Sequence, residues 1–255
     1  MENIILQEQT GNVLTLWLNH PDSRNALSPS MVSALTNALK QATCNASVRI
    51  IVLRGKGKGF CSGASLSSFT QTERPLVMEQ SVALANLFNQ IYLMPKPVVS
   101  VVHGFAMGGA NGLIAASDYT ISASSTTFAF SEVRLGVIPA TIMPFLAKRL
   151  TEGKLRELVL TAKPFSAAEA AQFGLIAQST PDDEVDAELE RVVKHLLSGG
   201  PKAQALSKEL IAYVTQHSPS PDYTAKMLAN VRLSAEAQEG VSAFLEKRKA
   251  NFNLG

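Results

Sequence analysis

The chain has 255 residues, 46% of them hydrophobic and 17% charged, with a formal net charge of +2. This is enough for a sizeable core in one or two domains, and no segment resembles a linker. The near-neutral charge and the lack of basic tracts argue against nucleic-acid binding. No apolar run reaches membrane-spanning length, and the first residues lack a signal-peptide pattern. We therefore expect a soluble protein that acts on a small molecule.

The two cysteines, Cys44 and Cys61, form neither a disulfide framework nor the spacing of a metal site. Nothing in the sequence indicates a lowered pKa for Cys61, so we interpret it as a packing residue. Cysteine use of this kind fits the reducing cytosol, and we expect a cytoplasmic protein without a bound metal.

The first third of the chain alternates short strands with helices. A hairpin is predicted at the start, and Ser28-Pro29 has the N-cap and first-position proline typical of a helix start. Pro95 and Pro97 end a later helical pattern before the next strand. The predicted strands cover residues 4–7, 13–18 and 49–54, and the predicted helices cover residues 29–44 and 75–94.

Residues 98–118 form the stretch around which we expect the site to be built. A β-branched run predicts a buried strand, broken at Gly104 and again at Gly108-Gly109, after which small residues predict a helix through Ala116. This order places free backbone amides at a helix N-terminus, where the dipole favours negative charge. Gly108 and Gly109 carry no Cβ, so a ligand atom can approach closely. We predict that this turn supplies half of an oxyanion hole.

Two further short strands, at residues 119–122 and 126–130, complete a repeated order that favours an α/β layer built from crossover units. From Ala140 onward the pattern is almost wholly helical, with a capping box at Ser166. The last helix is predicted over about residues 222–249, longer than usual. Such an arm suggests packing on a neighbouring subunit, or else folding back on its own core. We expect a core over residues 1–195 and a helical oligomerisation region over residues 196–255.

Several segments, in this order, resemble the crotonase (enoyl-CoA hydratase/isomerase) superfamily. They are Asn25-Ala26, residues 60–64 (FCSGA), residues 97–104 (PVVSVVHG), Gly108-Gly109, residues 131–139 (SEVRLGVIP) and residues 244–249 (FLEKRK). The resemblance implies an α/β fold, a superhelix of ββα units with a C-terminal helical trimerisation region. It also implies a CoA thioester as substrate, no other cofactor, and a homotrimer or dimer of trimers.

The resemblance further implies an oxyanion hole made by the backbone amides of Ala64 and Gly109. Chemistry that forms an enolate places negative charge on the thioester oxygen, and fixed donors stabilise that transition state more than the ground state. Taken alone, the glycines of these segments are more often tight turns.

Glu132 is the candidate acid/base residue. It is the only acidic group in the mainly apolar residues 128–138, and neighbours such as Phe130 should raise its pKa by desolvation. The resemblance places one of the family's two catalytic glutamates here. The alternative is a glutamate that pairs with Arg134 or caps a turn.

The sequence departs from the two-glutamate pattern at Gly112, where such hydratases carry the other carboxylate. One glutamate would then serve both proton transfers, with Asn111 or a hydroxyl placing the water, or water would not be a reactant. Ser65 also replaces the aspartate usual after Gly-Ala, which puts any role of that acid in doubt.

Gly112, the Ser131-Glu132 pair and residues 138–144 (IPATIMP) look most like bacterial methylglutaconyl-CoA hydratases and related dehydratases of polyketide β-branching. This favours reversible hydration of a branched or carboxylated enoyl thioester. A substrate carboxylate would need a cation or amide donors, and Arg134, Lys148 and His103 are all candidates. His103 alone is more typical of a core histidine.

The resemblance also implies contacts with CoA. The main chain from Arg24 to Ala26, together with Ser62, would bind the adenine and pantetheine, and Phe244 and Lys247 would contribute from the end of the last helix. Lys247 would lie near a phosphate. The alternative for these two is an ordinary solvated helix end.

Other functions remain open at this point. A single glutamate suffices for an enoyl-CoA isomerase, and a glutaconyl-type decarboxylase needs the oxyanion hole without activated water. A homologue without catalytic activity that binds CoA or associates with RNA is a further alternative, although a pure binding module has no reason to bury Glu132.

Overall fold

The computed structural model describes residues 3–65 and 70–252. Its strands are β1 (Ile5–Thr10), β2 (Val13–Leu18), β3 (Ile50–Gly55), β4 (Val98–Val102), β5 (Phe105–Met107), β6 (Tyr119–Ala123), β7 (Thr127–Ala129), β8 (Phe165–Ser166) and β9 (Gln178–Thr180). Its α-helices are α1 (Pro29–Cys44), α2 (Arg74–Tyr92), α3 (Ala110–Ala116), α4 (Met143–Leu146), α5 (Glu152–Thr161), α6 (Ala167–Phe173), α7 (Val185–Ser198), α8 (Pro201–Val214), α9 (Pro221–Arg232) and α10 (Ala235–Leu245). Short 3-10 helices cover Pro21–Ser23, Glu132–Leu135 and Asp182–Glu184.

A six-stranded sheet in the order β1-β2-β3-β4-β6-β9 forms the centre of the fold, and β5, β7 and β8 form a smaller sheet. In the large sheet β1 and β2 are antiparallel, whereas the other neighbours are parallel. Every residue of β4 is buried, as expected for an apolar run in a parallel strand covered on both faces. The predicted hairpin and the predicted α/β class are confirmed.

The chain passes from the large sheet to the small one at Gly104, between β4 and β5. Gly104 has a φ of +65°, and a Cβ placed there would overlap the carbonyl oxygen of Lys58, so only glycine fits. Strand β5 was not predicted, because three residues are too few to show a period. The breaks predicted at Gly104 and at Gly108-Gly109 are both observed.

The turns of successive units lie side by side. Leu27 pairs with Ala64 and Cys61 with Ala106 in isolated parallel bridges, and β5 pairs in parallel with β7. Each unit thus hydrogen-bonds to the next at the same edge. Turns that are far apart in sequence are thereby brought together at that edge.

The predicted helix starts follow capping chemistry. The Ser28 side chain accepts a hydrogen bond from the amide of Met31 at the start of α1, and Ser220 does the same for Tyr223 at the start of α9. Ser166 and Glu169 form the predicted capping box. These local signals predicted the helix starts correctly because they involve neighbouring residues only.

The prediction of one long helix over residues 222–249 is wrong. The structure has two helices there, α9 and α10, separated at Leu233 and Ser234. Ser234 takes extended backbone angles and accepts a hydrogen bond from the amide of Ala237, so it caps a new helix. A serine side chain competes with the helical backbone in this way, and the continuous apolar pattern concealed the break.

The C-terminal helices bury little surface in the single chain. Neither α8 nor α9 has a buried residue. Helix α8 contacts the core through the ion pair between Lys208 Nζ and Asp118 Oδ2, which are 2.5 Å apart.

Among the described residues, no helix has both the length and the apolar character needed to cross a membrane.

Candidate active site

Two glycine turns meet at the edge where the units stack. Gly63, with a φ of +89°, lies so close to the other turn that a Cβ placed on it would be 3.1 Å from the amide nitrogen of Gly109. A Cβ placed on Gly109 would in turn be 3.4 Å from the amide nitrogen of Ala64. The structure thus brings together the two amides named from the sequence.

Both amides are available to a ligand. Among the described residues, neither the Ala64 nor the Gly109 nitrogen donates to a backbone or side-chain acceptor. Gly109 is also the N-cap of α3, where unpaired amides carry partial positive charge. Two adjacent free donors of this kind are suited to bind one oxyanion.

Glu132 lies beside the second turn. It opens the short 3-10 helix Glu132–Leu135, which follows β7 in the chain. Gly108 has a φ of +50°, and a Cβ placed on it would be 3.2 Å from Oε1 of Glu132 and 3.7 Å from Oγ of Ser131. The Glu132 carboxylate therefore lies next to the turn that contains the oxyanion donor Gly109.

Within the described residues, the carboxylate of Glu132 has no cationic partner. The residue is half-buried, and in the same part of the chain its buried Oε2 has no hydrogen-bond partner. Within residues 3–65 and 70–252, Arg134 is not in an ion pair with it, and neither is any other cation. Burial raises the pKa of Glu132, the direction predicted from its apolar neighbours. A carboxyl group whose pKa is raised in this way holds a proton more readily than an ordinary glutamate, which suits a group that both takes and returns one.

The position of the family's second carboxylate is closed. A Cβ placed on Gly112 would lie 2.5 Å from Cγ2 of Ile142 and 2.7 Å from Cζ of Phe88. Phe88 and Ile142 are themselves buried. No side chain fits at residue 112, so the missing acid is replaced by apolar packing and not by another polar group.

Asn111 bonds to the backbone through its amide nitrogen, whereas its buried Oδ1 has no hydrogen-bond partner among the described residues. The residue is fully buried, and its Nδ2 donates to the carbonyl oxygens of Ala106, Gly108 and Ala129 at 3.4, 3.1 and 3.0 Å. The side chain thus joins β5, the glycine turn and β7. Its contacts are those of a group that holds the turn in place.

The residues proposed for CoA fall into two groups. The amide of Ser62 donates to the Arg24 carbonyl, and the amide of Leu27 donates to the Gly63 carbonyl. The segment with Arg24 and Ala26 therefore runs beside the Ala64 turn. Phe244 and Lys247 are not part of this group in the described chain. They lie at the end of α10, which packs on α8 and α9, and Phe244 is 83% exposed.

A cleft of about 930 Å³ is lined by residues of α1 and α2 together with Leu27 and Ala64. Its lining includes apolar side chains such as Val32 and Leu84 as well as polar ones. Its size is that of a small-molecule site.

The three candidate cations differ in their surroundings. His103 contacts the Gly57 carbonyl through Nε2 at 2.9 Å, and Lys148 lies over the Tyr92 ring, 5.3 Å from its centroid. Arg134 is exposed and, in the part of the chain that the structure describes, is not in an ion pair.

Cys61 is fully buried, which raises the pKa of its thiol to about 12. The thiol therefore stays protonated, and Cys61 acts as a packing residue, as predicted.

Sequence reasoning did not name the residues that close the second carboxylate position. Phe88 and Ile142 come from α2 and from the residue before α4, both distant from Gly112 in the chain. The absence of a side chain at Gly112 was visible in the sequence, but what fills the space was not.

Comparison with known proteins agrees with this geometry. Residues 8–254 match the family model described as enoyl-CoA hydratase/isomerase. A crotonyl-CoA hydratase of Syntrophomonas wolfei is 31% identical, with 98% of both chains covered. The 1,2-epoxyphenylacetyl-CoA isomerase of Escherichia coli is 30% identical, with 99% of both covered. The crystal structure of an enoyl-CoA hydratase from Shewanella pealeana superposes with a TM-score of 0.92 at 31% identity, covering 97% of this chain and 95% of that one. The chain therefore belongs to the enoyl-CoA hydratase/isomerase family.

Proposed function

We propose that this chain catalyses the reversible hydration of an α,β-unsaturated acyl-CoA thioester, with Glu132 as the single acid/base. The observation that carries the proposal is the meeting of two free amides, those of Ala64 and Gly109, with an unpaired half-buried carboxyl group at Gly108. The amides would bind the thioester oxygen, and the carboxyl group would act beside it.

The reaction needs two proton transfers. In the first, Glu132 takes a proton from water as the water oxygen bonds to C3, and the C2=C3 electron pair moves to the thioester oxygen to give an enolate. In the second, Glu132 returns that proton to C2 and the carbonyl re-forms. Water is thus added across the double bond with no atom unaccounted for. Because the Gly112 position is closed, one carboxyl group performs both steps in sequence.

The two amides supply the electrostatic part of catalysis. Charge appears on the thioester oxygen only as the enolate forms, so fixed donors favour the transition state over the ground state.

We expect no resident cofactor, since CoA arrives as part of the substrate. The cleft between α1 and α2 and the backbone near Arg24, Ala26 and Ser62 would hold the rest of the thioester. The contacts of Phe244 and Lys247 with CoA, with Lys247 near a phosphate, remain predictions.

A branched or carboxylated acyl group is the finer proposal, and it rests on the motif around Ser131-Glu132 and residues 138–144. Of the three candidate cations, Arg134 is the one we assign to a substrate carboxylate. It lies two residues from Glu132 in the same 3-10 helix and lacks an ion pair in the described chain, whereas His103 and Lys148 have other contacts. Arg134→Gln should raise KM for methylglutaconyl-CoA several-fold and leave KM for crotonyl-CoA nearly unchanged.

Isomerisation is the second candidate, because moving a proton between two carbons also needs a single carboxyl group and the closed Gly112 position suits it. Assays of crotonyl-CoA and methylglutaconyl-CoA hydration, 3-enoyl-CoA isomerisation and carbon dioxide release separate the candidates. The proposal expects hydration in the wild type.

Glu132→Gln should lower hydration about 10²- to 10⁴-fold with CoA binding retained. Undiminished activity in that variant would rule out Glu132 as the acid/base. CoA binding without turnover of any acyl thioester would point to a binding protein instead.

A further inference from the structure

We infer that the hydroxyl group of Ser131 binds and orients the water that Glu132 activates. This inference rests on the proposed hydration and adds a residue to it. Water that attacks C3 must be held on a fixed side of the carboxylate, and a single carboxylate cannot both hold and aim it while taking its proton. A second polar group is therefore needed near Glu132.

Asn111, the other polar side chain considered for this task, is not exposed to the site. Its Nδ2 donates to three backbone carbonyls. Its Oδ1 has no hydrogen-bond partner among the described residues, but it is buried with the rest of the side chain, so a water in the site does not reach it. Gly112 has no side chain that could bind a water, and Phe88 and Ile142 fill the space beside it. The hydratase therefore has to place its water without these two positions.

Ser131 satisfies the geometric requirement. Its Oγ and the Oε1 of Glu132 both lie within 4 Å of one point, the Cβ position of Gly108, at 3.7 and 3.2 Å. Gly108 immediately precedes the oxyanion donor Gly109. The hydroxyl and the carboxylate thus lie around one point, beside the residue that precedes the Gly109 amide.

The hydroxyl group is also free. Ser131 is the N-cap of the 3-10 helix Glu132–Leu135, a position where serine normally accepts a hydrogen bond from the following turn. Here the side chain makes no capping hydrogen bond, and no other hydrogen bond to Oγ is found among the described residues. The backbone of Ser131 is nevertheless fixed, because its carbonyl accepts from the amide of Arg134 at 3.1 Å.

A hydroxyl group can accept one hydrogen bond and donate another. Ser131 would accept from one hydrogen of the water while the other hydrogen points at Glu132, which leaves a lone pair of the water oxygen directed at C3. The bonds made and broken are those of the proposed hydration. One O–H bond of the water breaks as its proton passes to the Glu132 carboxylate, and the C3–O bond forms as the C2=C3 electron pair moves toward the thioester oxygen. Ser131 exchanges no proton with the substrate.

The test compares a reaction that uses water with one that does not. Hydration of crotonyl-CoA needs the water, whereas exchange of the C2 hydrogen of butyryl-CoA with deuterium in the solvent needs only Glu132 and the two amides. Ser131→Ala should lower kcat for hydration about 10- to 100-fold, the cost of one lost hydrogen bond to the reacting group. It should leave the exchange rate within about threefold. Ser131→Thr, which keeps the hydroxyl, should restore most of the hydration rate.

Equal losses of hydration and exchange in Ser131→Ala, or no loss in either, would overturn the inference while leaving the proposed hydration intact. A wild-type enzyme that exchanges the C2 hydrogen but hydrates no enoyl thioester would overturn both. Far-UV circular dichroism and the thermal midpoint of Ser131→Ala check that the variant is folded.

Discussion

Helices α3 and α9 show two opposite uses of a helix in this molecule. Every residue of α3 is buried, and its sequence contains only small or apolar residues apart from Asn111. Helix α9 has no buried residue. Its Leu228 is 60% exposed, and Leu233, which follows the last residue of the helix, is 81% exposed. One helix is surrounded by its own chain, and the other presents apolar surface outward.

This difference indicates at which of the two helices the protein tolerates substitutions. Around α3 the backbone itself forms the site, and the Cβ positions of Gly63, Gly108, Gly109 and Gly112 are all near other atoms. Added atoms there displace either packing or ligand. At α9 added or removed atoms meet solvent in the single chain, so their effects should appear only if a partner covers that surface.

The largest effect is expected from filling the closed position. Gly112→Glu would place a carboxylate against Phe88 and Ile142, which adds overpacking to the burial of an unpaired charge. We expect a loss of more than about 3 kcal/mol in the free energy of unfolding, measured by urea denaturation. Gly153→Glu is the matched control, because no atom of the described residues lies within 4 Å of its Cβ position. A stable Gly112→Glu enzyme with increased hydratase activity would contradict the packing described for this site.

Gly109→Ala should separate activity from folding. Gly109 has helical backbone angles, and its added methyl group would make only ordinary contacts, 3.4 Å from the Ala64 amide. That methyl group would, however, occupy the space between the two donors. We expect kcat/KM to fall about 10²- to 10³-fold, as for loss of an oxyanion donor, with little change in the thermal midpoint. Full activity would place the thioester oxygen elsewhere.

A pH dependence follows from the raised pKa of Glu132. The reaction needs the carboxylate, so kcat/KM should fall about tenfold per pH unit below that pKa, and this acidic limb should lie above the ordinary value of 4.5. The folded chain also binds this proton more tightly than the unfolded chain does, so ionisation of Glu132 lowers stability as pH rises.

Glu132→Gln should therefore be more stable than the wild type at neutral pH, and the gain should vanish at acidic pH, where both side chains are neutral. Thermal midpoints measured across pH check this. A gain that is unchanged at low pH would show that the charge is not its cause.

The smallest effect on the single chain is expected at the C-terminal helices. Replacing Leu228 and Leu233 by serine removes exposed apolar surface and should change the free energy of unfolding by no more than about 0.5 kcal/mol per site in a monomer. If a second copy covers this surface, the double variant should have a lower mass in solution by light scattering. An unchanged assembly would place any subunit contact elsewhere.

Local signals predicted the parts of the fold that depend on neighbouring residues. The caps at Ser28, Ser166 and Ser220 and the buried run of β4 are observed where expected. Strand β5 and the break at Ser234 were missed, since a three-residue strand has no visible period and a serine within an apolar pattern can either continue a helix or cap a new one.

The candidate site divides in the same way. The glycine turns, the lone acid at Glu132 and the missing side chain at Gly112 can all be identified from the residues themselves. The contact of Asn111 with Ala129 cannot, because the two residues are 18 positions apart in the chain. The uncapped hydroxyl of Ser131 cannot either, because serine at an N-cap normally bonds to the following turn.

The sequence by itself determined the types of group in this protein: glycines that leave amides accessible, one carboxyl group among apolar residues, and strands that alternate with helices. Only the tertiary structure decided which of them meet. Stacking of successive units brings the amides of Ala64 and Gly109 together beside Glu132, and packing of Phe88 and Ile142 leaves no room at Gly112. The physical reason is that caps and tight turns depend on neighbouring residues, whereas strand pairing and the contacts that exclude or admit a side chain come from residues far apart in sequence.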